Sequence, residues 1–123
     1  MTPAAAVIWL QVNDDPQVLS RKILRAGHAA YPVCRGGLGN LLGVARTPDL
    51  ICDLLEKGRI SAETLVSEPL TIHEERSVLE VVEQLRGALV PMAIVNDGAG
   101  AIKGVVTSTD LLETLLGNGR QES

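Results

Sequence analysis

Gly104-Val105-Val106-Thr107-Ser108-Thr109-Asp110 follows a run that reads as a strand and opens a run, residues 111–116, that reads as a helix. A hydroxyl and a carboxylate three positions apart at a helix start lie among free backbone N–H groups at the positive end of the helix dipole. Phosphate and ribose could both be met there. The same Thr-x-x-Asp spacing is also an ordinary capping arrangement, and an isolated instance favours that plainer reading.

An upstream echo shifts the balance. Gly43-Val44-Ala45-Arg46-Thr47-Pro48-Asp49-Leu50-Ile51 repeats the pattern at a constant offset of 61 residues, from Gly43 to Gly104 and from Asp49 to Asp110. The same offset places Val33 on Ile94, Leu41 on Ile102, Leu54 on Leu115 and Gly58 on Gly119 without a gap. Each copy is too small to bury a good core alone, so one module made of both copies is expected.

At 123 residues one domain is the default, and the composition is 46% hydrophobic but only 2% aromatic, with one Trp, one Tyr and no Phe. The core must be aliphatic, and base stacking on aromatic platforms is nearly excluded. A net charge of −4 argues against nucleic acid or an anionic membrane surface as partner. Cys34 and Cys52 lie in apolar runs without a CxxC or Cys/His cluster, which reads as two reduced core thiols. The apolar stretch 4–10 is too short to span a bilayer and lacks the positive flank of a signal peptide, so a soluble piece is expected.

In chain order, residues 7–10 read as a short strand, and Asp15 with Pro16 starts a helix that Gly27 stops. Residues 31–34 form a strand whose Pro32 suggests an edge or a first position. A Gly-rich hairpin at 35–40 leads to the strand 41–45, and Thr47 and Pro48 look like cap and first position of a helix through Glu56. Residues 59–69 connect the copies, with one helical turn expected at 61–65. The second copy gives a strand at 70–72 and a helix at 77–86 with Val78, Leu79, Val82 and Leu85 on one face. A strand at 91–95, a turn at Asn96-Asp97-Gly98-Ala99-Gly100, a strand at 101–106 and the final helix complete it. Residues from Gly117, and 120–123 above all, read as a frayed tail. Each copy is thus β-α-β-β-α, and the fold class is α+β, with repeat 1 at 1–58 and repeat 2 at 70–119 packed as one pseudo-two-fold module.

This order, with a Pro-containing strand, a Gly-bearing hairpin and Gly-h-h-(Thr/Ser)-x-x-Asp opening a helix, resembles a CBS domain. Two in tandem resemble a Bateman module over nearly the whole chain. More narrowly, Met1-Thr2-Pro3 ahead of residues 7–10, and Gly27-His28 before Tyr31-Pro32-Val33-Cys34-Arg35-Gly36, resemble the CBS pairs of CorC-type, hemolysin-like and TerC-like membrane proteins. In those families the pair lies on the cytoplasmic side of an inner-membrane domain, so the resemblance implies a flanking membrane domain in a longer parent chain.

The resemblance also implies a regulatory adenine nucleotide, AMP, ADP or ATP, with Mg as a possible companion, held in clefts between the copies; no other cofactor is required. The family's ribose-binding acid carries over to Asp110 and Asp49, and its phosphate-facing hydroxyl to Thr107. Position 46 departs, with Arg46 where the second copy has Thr107. Adenine would be clasped by aliphatic and backbone groups near Tyr31 and Pro32 in one site and Pro91 and Met92 in the other. Pro91 stands where relatives often carry His.

Catalysis has little support. The carboxylate pairs Asp14-Asp15 and Glu74-Glu75 precede helices, where the dipole favours negative charge. His28 reads as closing a helix and His73 as part of a polar turn; neither has a metal-ligand partner. A nucleotide sensor and a ligand-free dimerising or interdomain brace remain, with an enzyme a distant third. Leu pairs at 54–55 and 115–116 exceed what one helix stripe buries in a small module, which points to a homodimer.

Overall fold

In the computed structural model, which describes residues 1–122 and the backbone alone over 117–122, the chain is mixed α+β. Strands β1 (Thr2–Pro3), β2 (Leu10–Gln11), β3 (Ala30–Cys34) and β4 (Leu41–Arg46) are followed by β5 (Thr71–His73), β6 (Met92–Asn96) and β7 (Ile102–Thr107). The α-helices among the described residues are α1 (Pro16–Ala26), α2 (Thr47–Lys57), α3 (Val78–Arg86) and α4 (Ser108–Glu122).

The residues group into two compact units, Ile8–Pro69 and Met1–Val7 with Leu70–Ser123. These cut across the expected repeat boundaries. Residues 1–7, expected in repeat 1, join the second unit, while the connector 59–69 packs in the first. Each copy therefore surrenders its lead-in to the other unit, and two glycines explain where the lead-ins fit. In the first unit Val66 bridges Val44 antiparallel, with Val44 N–H donating to Val66 O at 3.0 Å and Val66 N–H to Val44 O at 2.8 Å. A Cβ on Gly43 would stand 2.7 Å from Val66 O. In the second unit β1 pairs antiparallel with β7, Thr2 opposite Val105 and Pro3 opposite Gly104, and the Thr2 carbonyl occupies the space a Cβ on Gly104 would need.

The first unit has the sheet order β2-β3-β4. Its core is Leu10, Leu19, Ile23, Tyr31, Val33, Ala45, Leu50 and Ile60, aliphatic apart from one ring, and each large side chain contributes about 1.5 to 3 kcal/mol by leaving water. Asp15 caps α1 by accepting from Gln17 N–H at 2.8 Å, and Gly27 ends it at φ 64°. Pro32 sits in the middle strand, but at an effectively open place. Val44 opposite it turns both backbone groups toward Val66, so the missing Pro32 N–H faces away from β4, beyond the start of β2.

The second unit has the order β1-β7-β6-β5 and a core of Ile72, Val81, Ala93, Val95 and Val106. Ser77 and Glu80 form a reciprocal cap on α3, Glu80 N–H to Ser77 Oγ at 3.2 Å and Ser77 Oγ–H to Glu80 Oε1 at 3.1 Å. Glu74 and Glu75 stand outside that cap.

Strand registers correct the gapless repeat. Val33 opposes Gly43 and Val95 opposes Gly104, with irregularities after Val33 and after Val95. Val33 thus corresponds to Val95 and not to Ile94, because the hairpin at 97–101 is one residue shorter than that at 35–40.

Other expectations change too. The strand expected at 7–10 is confined to Leu10–Gln11, since β3 offers partners only to that pair. Thr47 is not a cap. Arg46 holds the cap position without a side-chain bond, while Thr47 N–H donates to Ala29 O at 2.9 Å and Thr47 Oγ–H to His28 O at 2.7 Å. On α3 the inward stripe is Val81 with Leu85; Val78 and Leu79 are exposed. Cys34 is buried, and burial pushes its thiol up to about 11. Cys52 is exposed, because α2 turns Leu50, Asp53 and Leu54 inward and position 52 falls on the far side. Helical backbone continues through Glu122, past Gly117 and Gly119, where a tail was expected. A glycine costs a helix only about 1 kcal/mol and no proline intervenes. Of the expected tail, Ser123 lies outside the described residues.

Candidate nucleotide-binding site

The loop from β7 into α4 forms a closed hydrogen-bond ring. Asp110 N–H donates to Thr107 Oγ1 at 3.2 Å, and Thr107 N–H donates to Asp110 Oδ2 at 3.1 Å. This is a capping box with Asp in place of the usual Glu or Gln, and it holds the carboxylate rigidly over the first turn. A third group reaches the same carboxylate, with Thr2 Oγ1 3.4 Å from both Oδ1 and Oδ2. Thr107 and Asp110 are half-buried, so a polar ligand can approach them. The N–H groups of the first turn of α4 and the dipole behind them favour an anion here.

The equivalent turn from β4 into α2 differs. Asp49 lies in the first turn of α2 and is exposed, as is Arg46. Neither side chain makes a hydrogen bond or ion pair among the described residues. Arg46 therefore offers a free guanidinium, and Asp49 a free carboxylate, one helical turn apart.

The adenine-side residues fall into two groups. Tyr31 is fully buried, its hydroxyl donating to Ile23 O at 3.2 Å and accepting from His28 N–H at 3.0 Å, with the His28 ring 5.6 Å away. Its ring belongs to the first core, so this stretch can offer a ligand backbone groups rather than the ring. Pro32 is also fully buried. Pro91 is half-buried, and Met92 is buried opposite Thr107 across the β6–β7 ladder, which brings the expected adenine and phosphate residues of the second copy onto adjacent strands.

Two polar groups escaped the sequence reading. Thr2 reaches Asp110 only through the long-range pairing of β1 with β7. Asp53 is 6% exposed and Ser61 0%. Ser61 N–H donates to Asp53 Oδ2 at 2.8 Å, Ser61 Oγ–H reaches it at 3.0 Å, and Lys57 Nζ lies 3.7 Å from Oδ1. Burial alone would raise the Asp53 pKa; the hydrogen bonds from Ser61 and Thr64 and the Lys57 charge outweigh it and lower it on balance. An acid at the inward side of a helix carries no local sequence signal, because its partner lies eight residues on in the connector. Among the described residues no cluster of three or more His, Cys, Asp or Glu could hold a metal, and no helix is long and apolar enough to cross a membrane.

Residues 62–117 match the family model described as CBS domain. This second half of the chain is therefore similar to a CBS domain. The same architecture occurs in the crystal structure of a CBS domain from Clostridium difficile 630, with a TM-score of 0.80 and 27% identity over 96% of this chain and 91% of that one. A CBS domain of the bacterial CNNM/CorC family Mg2+ transporter, solved in complex with ATP, gives a TM-score of 0.78 at 28% identity and covers 95% of this chain and 84% of that one. Among curated relatives, a UPF0053 protein of Synechocystis sp. is 33% identical over 96% of this chain and 26% of its own length. The UPF0053 inner membrane protein YoaE of Escherichia coli is 29% identical over 95% of this chain and 23% of its own length. The chain thus spans about a quarter of the length of these relatives.

Proposed function

We propose that this chain is a regulatory CBS pair that binds an adenine nucleotide and belongs to a longer, CorC- or hemolysin-like, ion-transport-associated inner-membrane protein, on its cytoplasmic side. The observation that carries the reading is the Thr107–Asp110 ring at the start of α4, within a fold similar to that of a CBS domain complexed with ATP. Asp110 accepts the ribose hydroxyls and Thr107 with the α4 N-terminus faces the phosphate. Pro91 and Met92 flank adenine in this site, and Tyr31 and Pro32, through their backbone, flank it in the separate site of the first copy. Asp49 and Arg46 form the corresponding acid and phosphate contact of the first copy. The ligand is AMP, ADP or ATP, the last with Mg2+. The module has no catalytic role.

The chain pairs with a second copy in solution. Leu112, Leu115 and Leu116 on α4 and Leu55 on α2 are 61 to 82% exposed, more apolar surface than helices of a small module leave to water.

A ligand-free brace is the second reading, and one observation favours it: Thr107 and Thr2 already engage the Asp110 carboxylate. A thermal-shift screen with AMP, ADP and Mg-ATP separates the two. A sensor at a hundredfold excess over Kd gains about 2.7 kcal/mol and several degrees in Tm. No shift with any of the three at millimolar concentration rejects the sensor.

A further inference from the structure

The segment that opens the first copy ends on the signature acid of the second. Strand β1 is only two residues long, pairs with the edge of β7, and is pressed against Gly104, which leaves no room for a Cβ beneath the Thr2 carbonyl. Its side-chain tie is the Thr2 hydroxyl, placed at the same 3.4 Å from both oxygens of Asp110. That is long for a hydroxyl-to-carboxylate hydrogen bond, whose usual separation is about 2.5 to 2.7 Å, so the tie is weak and replaceable. It also covers both carboxylate oxygens, the arrangement a ribose diol must itself take.

We infer that Thr2 is a coupling residue: it fastens β1 to the Asp110 carboxylate, and ribose hydroxyls that take this carboxylate release the strand. The inference rests on the nucleotide reading of Asp110. Oxygen Oδ2 keeps its bond from Thr107 N–H throughout, so α4 stays capped while the Thr2 bond is exchanged. With so short a ladder, one lost tie is a large share of what holds β1. The segment 1–7 then responds to whether the site is occupied.

The first unit has no such device. Val66 stands on Val44 as Thr2 stands on Val105, at the same 61-residue offset, and a valine has no hydroxyl to offer Asp49. Coupling is confined to the Asp110 side.

Amide exchange over residues 1–7 tests this in wild type, Thr2→Val, Thr2→Ser and Asp110→Asn, each with and without AMP or Mg-ATP. In wild type, nucleotide raises exchange there about twofold, what loss of one hydrogen bond at the weak end of the range gives. Thr2→Val exchanges at the raised rate without ligand, nucleotide adds nothing further, and Thr2→Ser restores the wild-type response. Unchanged protection of β6 shows that the variants remain folded. Nucleotide binding to wild type with exchange at 1–7 unchanged or slowed overturns the coupling alone, as does a Thr2→Val protein that responds like wild type. Failure of wild type to bind any adenine nucleotide overturns the reading of Asp110 and the coupling with it.

Discussion

Replacing Asp53 with alanine removes the acceptor that holds the connector to α2. Ser61 is 0% exposed, and its N–H donates to Asp53 at 2.8 Å. Without the carboxylate that donor is buried and unpaired, which costs about 1 to 3 kcal/mol. The hydroxyl bond at 3.0 Å and the Lys57 contact add to this, although Lys57 is 41% exposed and its ion pair is largely screened. The expected loss is about 2 to 4 kcal/mol, which lowers Tm by roughly 8 to 16 °C for a domain of this size. Calorimetric or circular-dichroism melts of wild type and Asp53→Ala measure it. The pH dependence supplies the sign. The folded-state pKa of Asp53 lies below its ordinary 3.8, so the stabilisation is fully present well above that value and is lost as acid titrates the carboxylate below it. The gap between the two proteins is therefore wide at pH 7 and narrows below about pH 3.8. A Tm difference under about 2 °C at pH 7, or one that does not shrink in acid, would refute the argument.

Tyr31→Phe leaves His28 N–H without its acceptor, and a loss of about 1 to 2 kcal/mol is expected in urea unfolding with the m-value unchanged; an unaltered midpoint would show that water replaces the hydroxyl. Arg46→Thr should weaken Mg-ATP more than AMP, because a guanidinium facing phosphate would favour the more highly charged ligand; equal losses in titrations of both ligands would make Arg46 a surface charge only. Light scattering at tens of micromolar should report twice 13.0 kDa, and a glutamate at Leu115 or Leu116 should restore the monomer mass; a wild-type monomer would contradict the dimer.

The parts legible in the sequence are those fixed by local chemistry. Asp15 with Pro16, the glycine stop at 27, the Pro-containing strand and the Thr107–Asp110 box each depend on neighbours within a few residues, so spacing alone predicts them. Long-range pairing was not legible. Nothing near Thr2 says that it will lie on β7, and nothing near Gly43 names Val66 as the segment it must admit. The repeat itself misled over the hairpins, because a one-residue difference in loop length shifts every strand position ahead of it while leaving Gly43 and Gly104, Asp49 and Asp110 in step. On α3 periodicity allowed more than one apolar face, and packing against Val106 and Leu111 chose Val81 and Leu85.

Calorimetric titration of wild type and Asp110→Asn with AMP and Mg-ATP addresses the central claim most directly. Asparagine keeps much of the cap, and even complete loss of a capping acid costs only about 0.5 to 2 kcal/mol, so the variant stays folded. Charge-assisted bonds to ribose are worth about 1.5 to 3 kcal/mol each, so Asp110→Asn should bind roughly tenfold to a hundredfold more weakly than wild type. Wild type that binds neither nucleotide at millimolar concentration, or an Asp110→Asn protein that binds as tightly as wild type, would contradict the account.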